Sequence, residues 1–180
     1  SPGTRRMVRV ARGLARGLNR IVPGKRRAAV LLVANDRSRA ALPCPDHPRV
    51  VTLVENGVDL STWTPPPRAA GAPRPPGAPF RLIFMGRLVG WKAVGITLQA
   101  LALARARGVA AELDILGDGP ERARLEARAA APDLAGAVRF LGFLPQAECA
   151  ARLAVADALI LNSVWECGGA VVLEAMAMGL

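Results

Sequence analysis

The sequence predicts an α/β architecture: parallel strands carrying helices on both faces. Three observations predict it. After residue 80, short, mainly apolar runs alternate with helical stretches, which is the pattern of strands buried on both sides. Each run ends on Gly or Asn, namely Phe80–Met85 at Gly86, Ala111–Leu116 at Gly117, 138–141 at Gly142 and 158–161 at Asn162. The intervening stretches 93–107, 120–131, 146–156 and 169–178 have the length and periodicity of helices. Such units connect right-handedly and form half of a doubly wound sheet.

The elements can be justified in order. Residues 5–22 read as a basic amphipathic helix, with Met7, Val10, Leu14, Leu18 and Ile21 on one face and Arg5, Arg9, Arg12, Arg16 and Arg20 on the other. Thr4 suits its N-cap, Pro23-Gly24 its end, and Gly13 and Gly17 weaken it. The expectation is a helix packed on a sheet with its basic face in solvent; an anionic membrane surface is the second reading for residues 5–27. Stretches 28–34 and 50–54 read as short strands, separated by a short helix over 36–42 that Pro43 ends. Seven prolines between Thr64 and Pro79 exclude a helix or central strand and mark a semi-rigid linker. The expected division is therefore the end of one domain over 1–60, a linker over 61–79, and a second domain over 80–180. In that domain Val94, Leu98 and Leu101 share one helix face, and Cys149, Leu153 and Ala156 another. Pro120 takes the favoured first position of its helix. The last helix lacks a return strand, so the chain reads as truncated.

Composition limits the function classes. Of 180 residues, 52% are hydrophobic and 21% charged, so the chain can build a core. No apolar run reaches the ~18 residues of a membrane-spanning helix, and Arg interrupts any secretory leader pattern at the N-terminus. Three widely spaced cysteines (Cys44, Cys149, Cys167) fit a reducing compartment better than a disulfide framework, and the single histidine, His47, disfavours His-based metal sites and triads. The net charge of +10 is local: residues 1–49 hold twelve basic and two acidic residues, whereas 50–180 hold twelve of each. Residues 5–27 contain no aromatic side chain, so stacking on nucleic-acid single strands is not expected.

Ligands of open parallel sheets bind beyond the carboxyl ends of the strands. The first such loop, 86–92, carries Arg87 and Lys92, one of only two lysines, ahead of a helix; fixed cations and free N–H groups suit a pyrophosphate. Gly117-Asp118-Gly119-Pro120 lacks a full phosphate-loop signature and reads as a sharp strand-to-helix turn. The last loop places Glu166 before Cys167-Gly168-Gly169, and Glu174 eight residues on, in an otherwise apolar helix. Two readings of Glu174 stand side by side. Its face, shared with Ala170 and Ala177, either meets solvent or lines a cleft where the carboxylate accepts hydroxyl protons from a sugar diol.

Taken together, Glu55-Asn56-Gly57-Val58-Asp59, Gly86-Arg87…Lys92, Gly117-Asp118-Gly119-Pro120, Phe140-Leu141-Gly142-Phe143-Leu144 and Glu166-x7-Glu174 resemble family 4 of the nucleotide-sugar glycosyltransferases, over roughly 28–180. The resemblance implies the GT-B fold, two Rossmann-like domains of which the C-terminal one holds the donor. Residues 80–180 would be that domain and residues 1–60 the tail of the acceptor-side domain. It implies a retaining hexosyltransferase that moves sugar from a nucleoside-diphosphate sugar to a glycan or lipid-linked acceptor in polysaccharide biosynthesis. No metal or other cofactor, a cytoplasmic location at the inner face of the membrane and no nucleic-acid partner go with it. Arg87 and Lys92 would hold the diphosphate beside Gly86. Glu166, with Cys167, Gly168 and Gly169 at the helix mouth, would serve the donor sugar. Glu174 would bind ribose, and Gly142, Phe143 and Leu144 the base. Two positions depart from the family pattern: Ala93 stands where Gly is usual, and Gly90 where an acidic residue is usual. The family's acceptor-side glycine loop and histidine have no counterpart, so the chain alone is expected to be inactive. The rivals are another enzyme on the same fold, such as an epimerase or a phosphorylase (for which Lys25 and Lys92 are the only cofactor lysines), and a non-catalytic basic surface binder.

Overall fold

The computed structural model describes residues 7–180 except 8, 9, 12, 16, 19, 20, 23, 54–56, 66–74, 76 and 167, with the backbone alone at 25 and 26. Thr4, Pro23, the arginine face of the first helix, Glu55-Asn56, most linker prolines and Cys167 therefore lie outside the described residues. The chain forms two compact units, Ser1–Glu55 and Asn56–Leu180.

In the first unit the described positions from Met7 to Ile21 are helical and none carries a buried side chain: Met7, Val10, Leu14, Leu18 and Ile21 are all exposed. The expected packing of this face on a sheet is thus not realised. A further short helix, α1 (Gly24–Arg27), follows. β1 (Leu31–Val33) and β2 (Val50–Thr52) pair in parallel, Leu31 opposite Val50. Between them lies α2 (Asp36–Ala40), which Asn35 caps by accepting a 2.9 Å hydrogen bond from the Ser38 N–H. An Asx cap of this kind satisfies one of the first-turn donors that a helix leaves unpaired.

The second unit is a four-stranded parallel sheet in the order β5-β4-β3-β6, formed by β3 (Phe80–Met85), β4 (Ala111–Leu116), β5 (Val138–Gly142) and β6 (Ala158–Leu159). Alternation along β3 explains why Leu82, Ile83, Phe84 and Met85 are apolar in succession. Leu82 and Phe84 pack with Leu98, Leu101, Leu113, Ile115 and Leu125 in one cluster. Ile83 and Met85 pack with Leu116, Leu153, Ala156, Ala175 and Met178 in another. Successive side chains of a strand point to opposite faces, so a sheet covered twice needs apolar residues at every position. The first cluster belongs to α3 (Val94–Ala106) and α4 (Arg122–Ala129), the second to α5 (Gln146–Val155) and α6 (Ala170–Ala177). Among the described residues no helix is long and apolar enough to cross a membrane.

Several boundaries differ from expectation. A 3₁₀ turn, Gly90–Lys92, precedes α3. Pro120 stands before α4 rather than at its first position; Glu121 is the N-cap, and its N–H bonds to the Leu88 carbonyl at 3.0 Å. The segment 57–65, expected to be shared between the first domain and the linker, belongs to the second unit. Trp63, 3% exposed, sits in the α5–α6 cluster, and its N–H and that of Thr62 close a turn on the Asp59 carbonyl.

Candidate functional site

The loops at the carboxyl ends of β3, β4 and β5 are stitched to one another through the backbone. Gly86 N–H bonds Leu116 O at 2.9 Å, Leu88 N–H bonds Asp118 O at 2.9 Å, and Gly117 N–H bonds Gly142 O at 2.6 Å. Glycine is what lets the chains come this close. A Cβ on Gly117, whose φ is +124°, would stand 2.1 Å from Gly86 O, and one on Gly119 would stand 2.5 Å from Leu88 O. The Gly-Asp-Gly loop is therefore a spacer, as its structural reading expects, and it fixes where Arg87 leaves the sheet.

Beyond these loops lies a hollow of about 320 Å³ lined by Met85, Gly86, Arg87, Leu116, Gly117, Asp118, Phe143, Leu144, Cys149, Val171 and Glu174. Five of the expected site residues reach it, Gly86, Arg87, Phe143, Leu144 and Glu174, and they come from the loops after β3 and β5 and from α6. Phe143 is 87% exposed, an apolar ring standing free at the rim. Glu174 is half-buried, and burial pushes its carboxyl above the ordinary value. Of the face it shares with Ala170 and Ala177, Glu174 itself lines the hollow, whereas Ala170 is exposed. Burial likewise pushes the Cys149 thiol up, with the charges of Glu174 and Glu148 adding to it. Asp118 accepts from the Arg122 guanidinium at 2.9 Å and from the Gly119 N–H at 2.7 Å. These contacts hold its carboxyl below the usual range. Sequence reasoning gave Asp118 only a turn role and Cys149 only a core role. The inward face of α5 carried the signal for Cys149, because that face ends over the strand termini.

Lys92 and Glu166 come together on the other side of Gly86. The Lys92 ammonium donates to Glu166 Oε1, with side chains 15% and 28% exposed, so the pair is partly withdrawn from water. Burial pushes the Glu166 carboxyl up, and the hydrogen bond and charge of Lys92 outweigh it, leaving the group below its ordinary value. A Cβ on Gly86 would lie 3.8 Å from Lys92 Nζ, so this pair and the Arg87–Glu174 hollow meet at one glycine. Gly168 is exposed and Gly169 enters α6 in a left-handed conformation, φ +61°. Gly142, φ +72°, turns the chain out of β5 beside the Arg122 side chain. Cys167 lies outside the described residues. Among the described residues, no group of three or more His, Cys, Asp or Glu side chains could hold a metal ion.

A larger hollow, about 520 Å³, lies at the opposite ends of the strands among Arg81, Glu112, Asp114, Arg139 and Arg152. Arg139 donates to Asp114 at 2.6 Å and lies 3.2 Å from Glu112, and Arg152 lies 3.9 Å from Asp114. The glycine turns at Gly86 and Gly117 and the expected site residues Arg87, Phe143, Leu144 and Glu174 line the smaller hollow and not this one.

Residues 70–180 match the family described as glycosyl transferases group 1. The chain is 36% identical to the glycogen synthase of Mycobacterium tuberculosis over 129 residues, 72% of this chain and 30% of that one. It is 31% identical to the putative colanic acid biosynthesis glycosyltransferase WcaL of Escherichia coli, covering 86% of this chain and 39% of that one. It is 34% identical to the D-inositol 3-phosphate glycosyltransferase of Pseudarthrobacter chlorophenolicus, covering 91% and 40%. The chain thus spans 30% to 40% of the length of these relatives. Its fold matches Anabaena Alr3699/HepE in complex with UDP-glucose, with a TM-score of 0.67 at 20% identity over 87% of this chain and 44% of that one. It also matches the sucrose-phosphate synthase of Thermosynechococcus elongatus, with a TM-score of 0.69 at 22% identity over 85% and 39%. Sheet, glycine-turned loops and sequence agree: the chain belongs to the group 1 glycosyltransferases, with the GT-B fold.

Proposed function

We propose that residues 56–180 hold the nucleoside-diphosphate sugar of a retaining hexosyltransferase that passes the sugar to a glycan or lipid-linked acceptor. The observation that carries this is the placing of Arg87, Lys92, Glu166 and Glu174 about Gly86, drawn from the loop after β3, the loop before α6 and α6 itself. In the transfer, the bond from the anomeric carbon to the diphosphate oxygen breaks, the acceptor hydroxyl oxygen takes that carbon on the same face, and the acceptor's proton passes to the departing diphosphate. Negative charge grows on the departing diphosphate. Arg87 and Lys92 are fixed cations placed to oppose it, a part that metals play elsewhere, so the proposed reaction uses no metal. Glu174, in the apolar hollow, accepts ribose hydroxyls, which supply the donors that a half-buried carboxylate lacks. Glu166 serves the donor sugar, and the main chain at Gly142–Leu144 receives the base. UDP-glucose in Anabaena Alr3699/HepE supports a nucleotide sugar as the donor class. The activity is proposed for the whole protein, which relatives two to three times longer represent.

Titration of UDP and GDP against Arg87→Ala and Lys92→Ala tests the assignment. Each substitution removes a charge-assisted contact and should weaken binding by ~1.5–3 kcal/mol. Wild-type affinity in both variants would overturn the diphosphate site.

A second, independent reading concerns the first unit. The described apolar positions of the helix from Met7 to Ile21 are exposed, and the same stretch of sequence is strongly basic. We propose peripheral contact with an anionic membrane surface at the cytoplasmic face, where such a helix lies flat.

A further inference from the structure

The loop that delivers Lys92 contains an anomaly. Ala93, φ +53° and ψ +29°, is the one non-glycine residue with positive φ among the described residues. A Cβ disfavours this region, so the conformation persists only where its surroundings impose it. The backbone before it is held by short-range bonds: Lys92 N–H to Val89 O at 2.9 Å and Ala93 N–H to Gly90 O at 3.2 Å. The Ala93 carbonyl accepts the Ile96 N–H at 2.8 Å, which any start of α3 would supply. It also accepts a second hydrogen bond, 2.8 Å, from Nδ2 of Asn162, sixty-nine residues away at the end of β6. Two residues on, Val164 N–H bonds the Trp91 carbonyl at 2.8 Å, and two further on Glu166 takes Lys92. The loop after β6 therefore grips the Lys92 turn from both sides. Asn162 does so at a cost to itself, since its Oδ1 is buried without a partner.

We propose that Asn162 is a positioning residue for the donor: its amide clamps the Ala93 carbonyl and holds the left-handed turn from which Lys92 reaches the diphosphate. The inference rests on the reading of Lys92 as a diphosphate ligand. Its logic is that the clamp is needed because residue 93 is alanine. A glycine there would adopt positive φ without help.

The experiment is a titration of UDP and GDP against wild type, Lys92→Ala, Asn162→Ala, Asn162→Asp, Ala93→Gly and Asn162→Ala/Ala93→Gly, scored per folded protein, with thermal unfolding of each. Asn162→Ala and Asn162→Asp should each lose at least fivefold in affinity. The double variant should return to within threefold of wild type. If Asn162 only stabilises the fold, its variants melt earlier and bind as wild type does, and the proposal fails. It fails equally if Ala93→Gly rescues nothing. Should Asn162→Ala not fold, the Asn162→Asp series, with Ala93→Gly added, decides by the same criteria. Unchanged binding in Lys92→Ala overturns the diphosphate reading and this inference with it; weakened Lys92→Ala beside unaffected Asn162 variants overturns this inference alone.

Discussion

The two units use the same kind of raw material to opposite ends. Residues 1–55 bury only Val33 and Val50 among their described hydrophobic side chains, while Leu32, Val51 and the apolar face of the first helix stay exposed. A pair of three-residue strands has too little surface to cover them. Residues 56–180 bury apolar side chains on both faces of a four-stranded sheet. The difference teaches that a hydrophobic periodicity states what a segment is able to bury, whereas burial itself requires a partner surface.

The largest test of this contrast is in the two sheets. Leu113 is fully buried, and Leu113→Ala should cost ~2–5 kcal/mol by denaturant unfolding. Val51, 46% exposed, should change stability by no more than ~0.5 kcal/mol as Val51→Ala. Equal costs would mean that the first unit has a core of its own making.

A smaller effect separates the two glutamates. Glu166 is held below its ordinary value, so its contribution to stability is complete above the ordinary carboxylate range and disappears as pH falls through and below it. Glu174 is pushed above its ordinary value. The fold therefore favours its protonated form, and stability is lost as pH rises from the ordinary range through the raised value. Glu166→Gln should melt below wild type at neutral pH and converge with it in acid. Glu174→Gln should melt at or above wild type at neutral pH, the gap again closing in acid. Kinetics with varied donor should show a lowered kcat for Glu166→Gln and a raised donor KM for Glu174→Gln. Identical pH profiles for the two variants would show that they share one environment.

The smallest effect lies in the basic stretch. Co-sedimentation with vesicles containing anionic lipid should be measurable and should fall as salt rises, while neutral vesicles take up little. Equal uptake by both kinds of vesicle would exclude the electrostatic part of the membrane contact.

Much of the second unit was legible in its sequence. β3 and β4 lie where apolar runs ending on glycine place them, and the inward residues of α3 (Val94, Leu98, Leu101) follow from spacing alone. Glu174 was ambiguous because one helix cannot say what faces it; the structure places it in a hollow with Arg87. What remained hidden is of a different kind. Asn162 and Ala93 are far apart in the chain, and each is unremarkable alone; only their hydrogen bond gives them meaning. Likewise the first helix has a clean apolar face in sequence, and nothing in that periodicity states whether a sheet stands opposite it.

The stitching of the loops after β3, β4 and β5 has a consequence for variation. Its hydrogen bonds are all between main-chain groups, and main-chain groups are the same whatever the side chain. Only Gly117 and Gly119 are constrained by the close approach itself. Side chains such as Arg87 and Phe143 hang from a frame whose stitching does not depend on them, whereas the Asp118 carboxylate accepts from the Gly119 N–H and helps to hold it. If this rim holds the donor as proposed, side chains like Arg87 and Phe143 can be exchanged one at a time without reshaping the backbone that presents them, which makes it a favourable place to begin a specificity library.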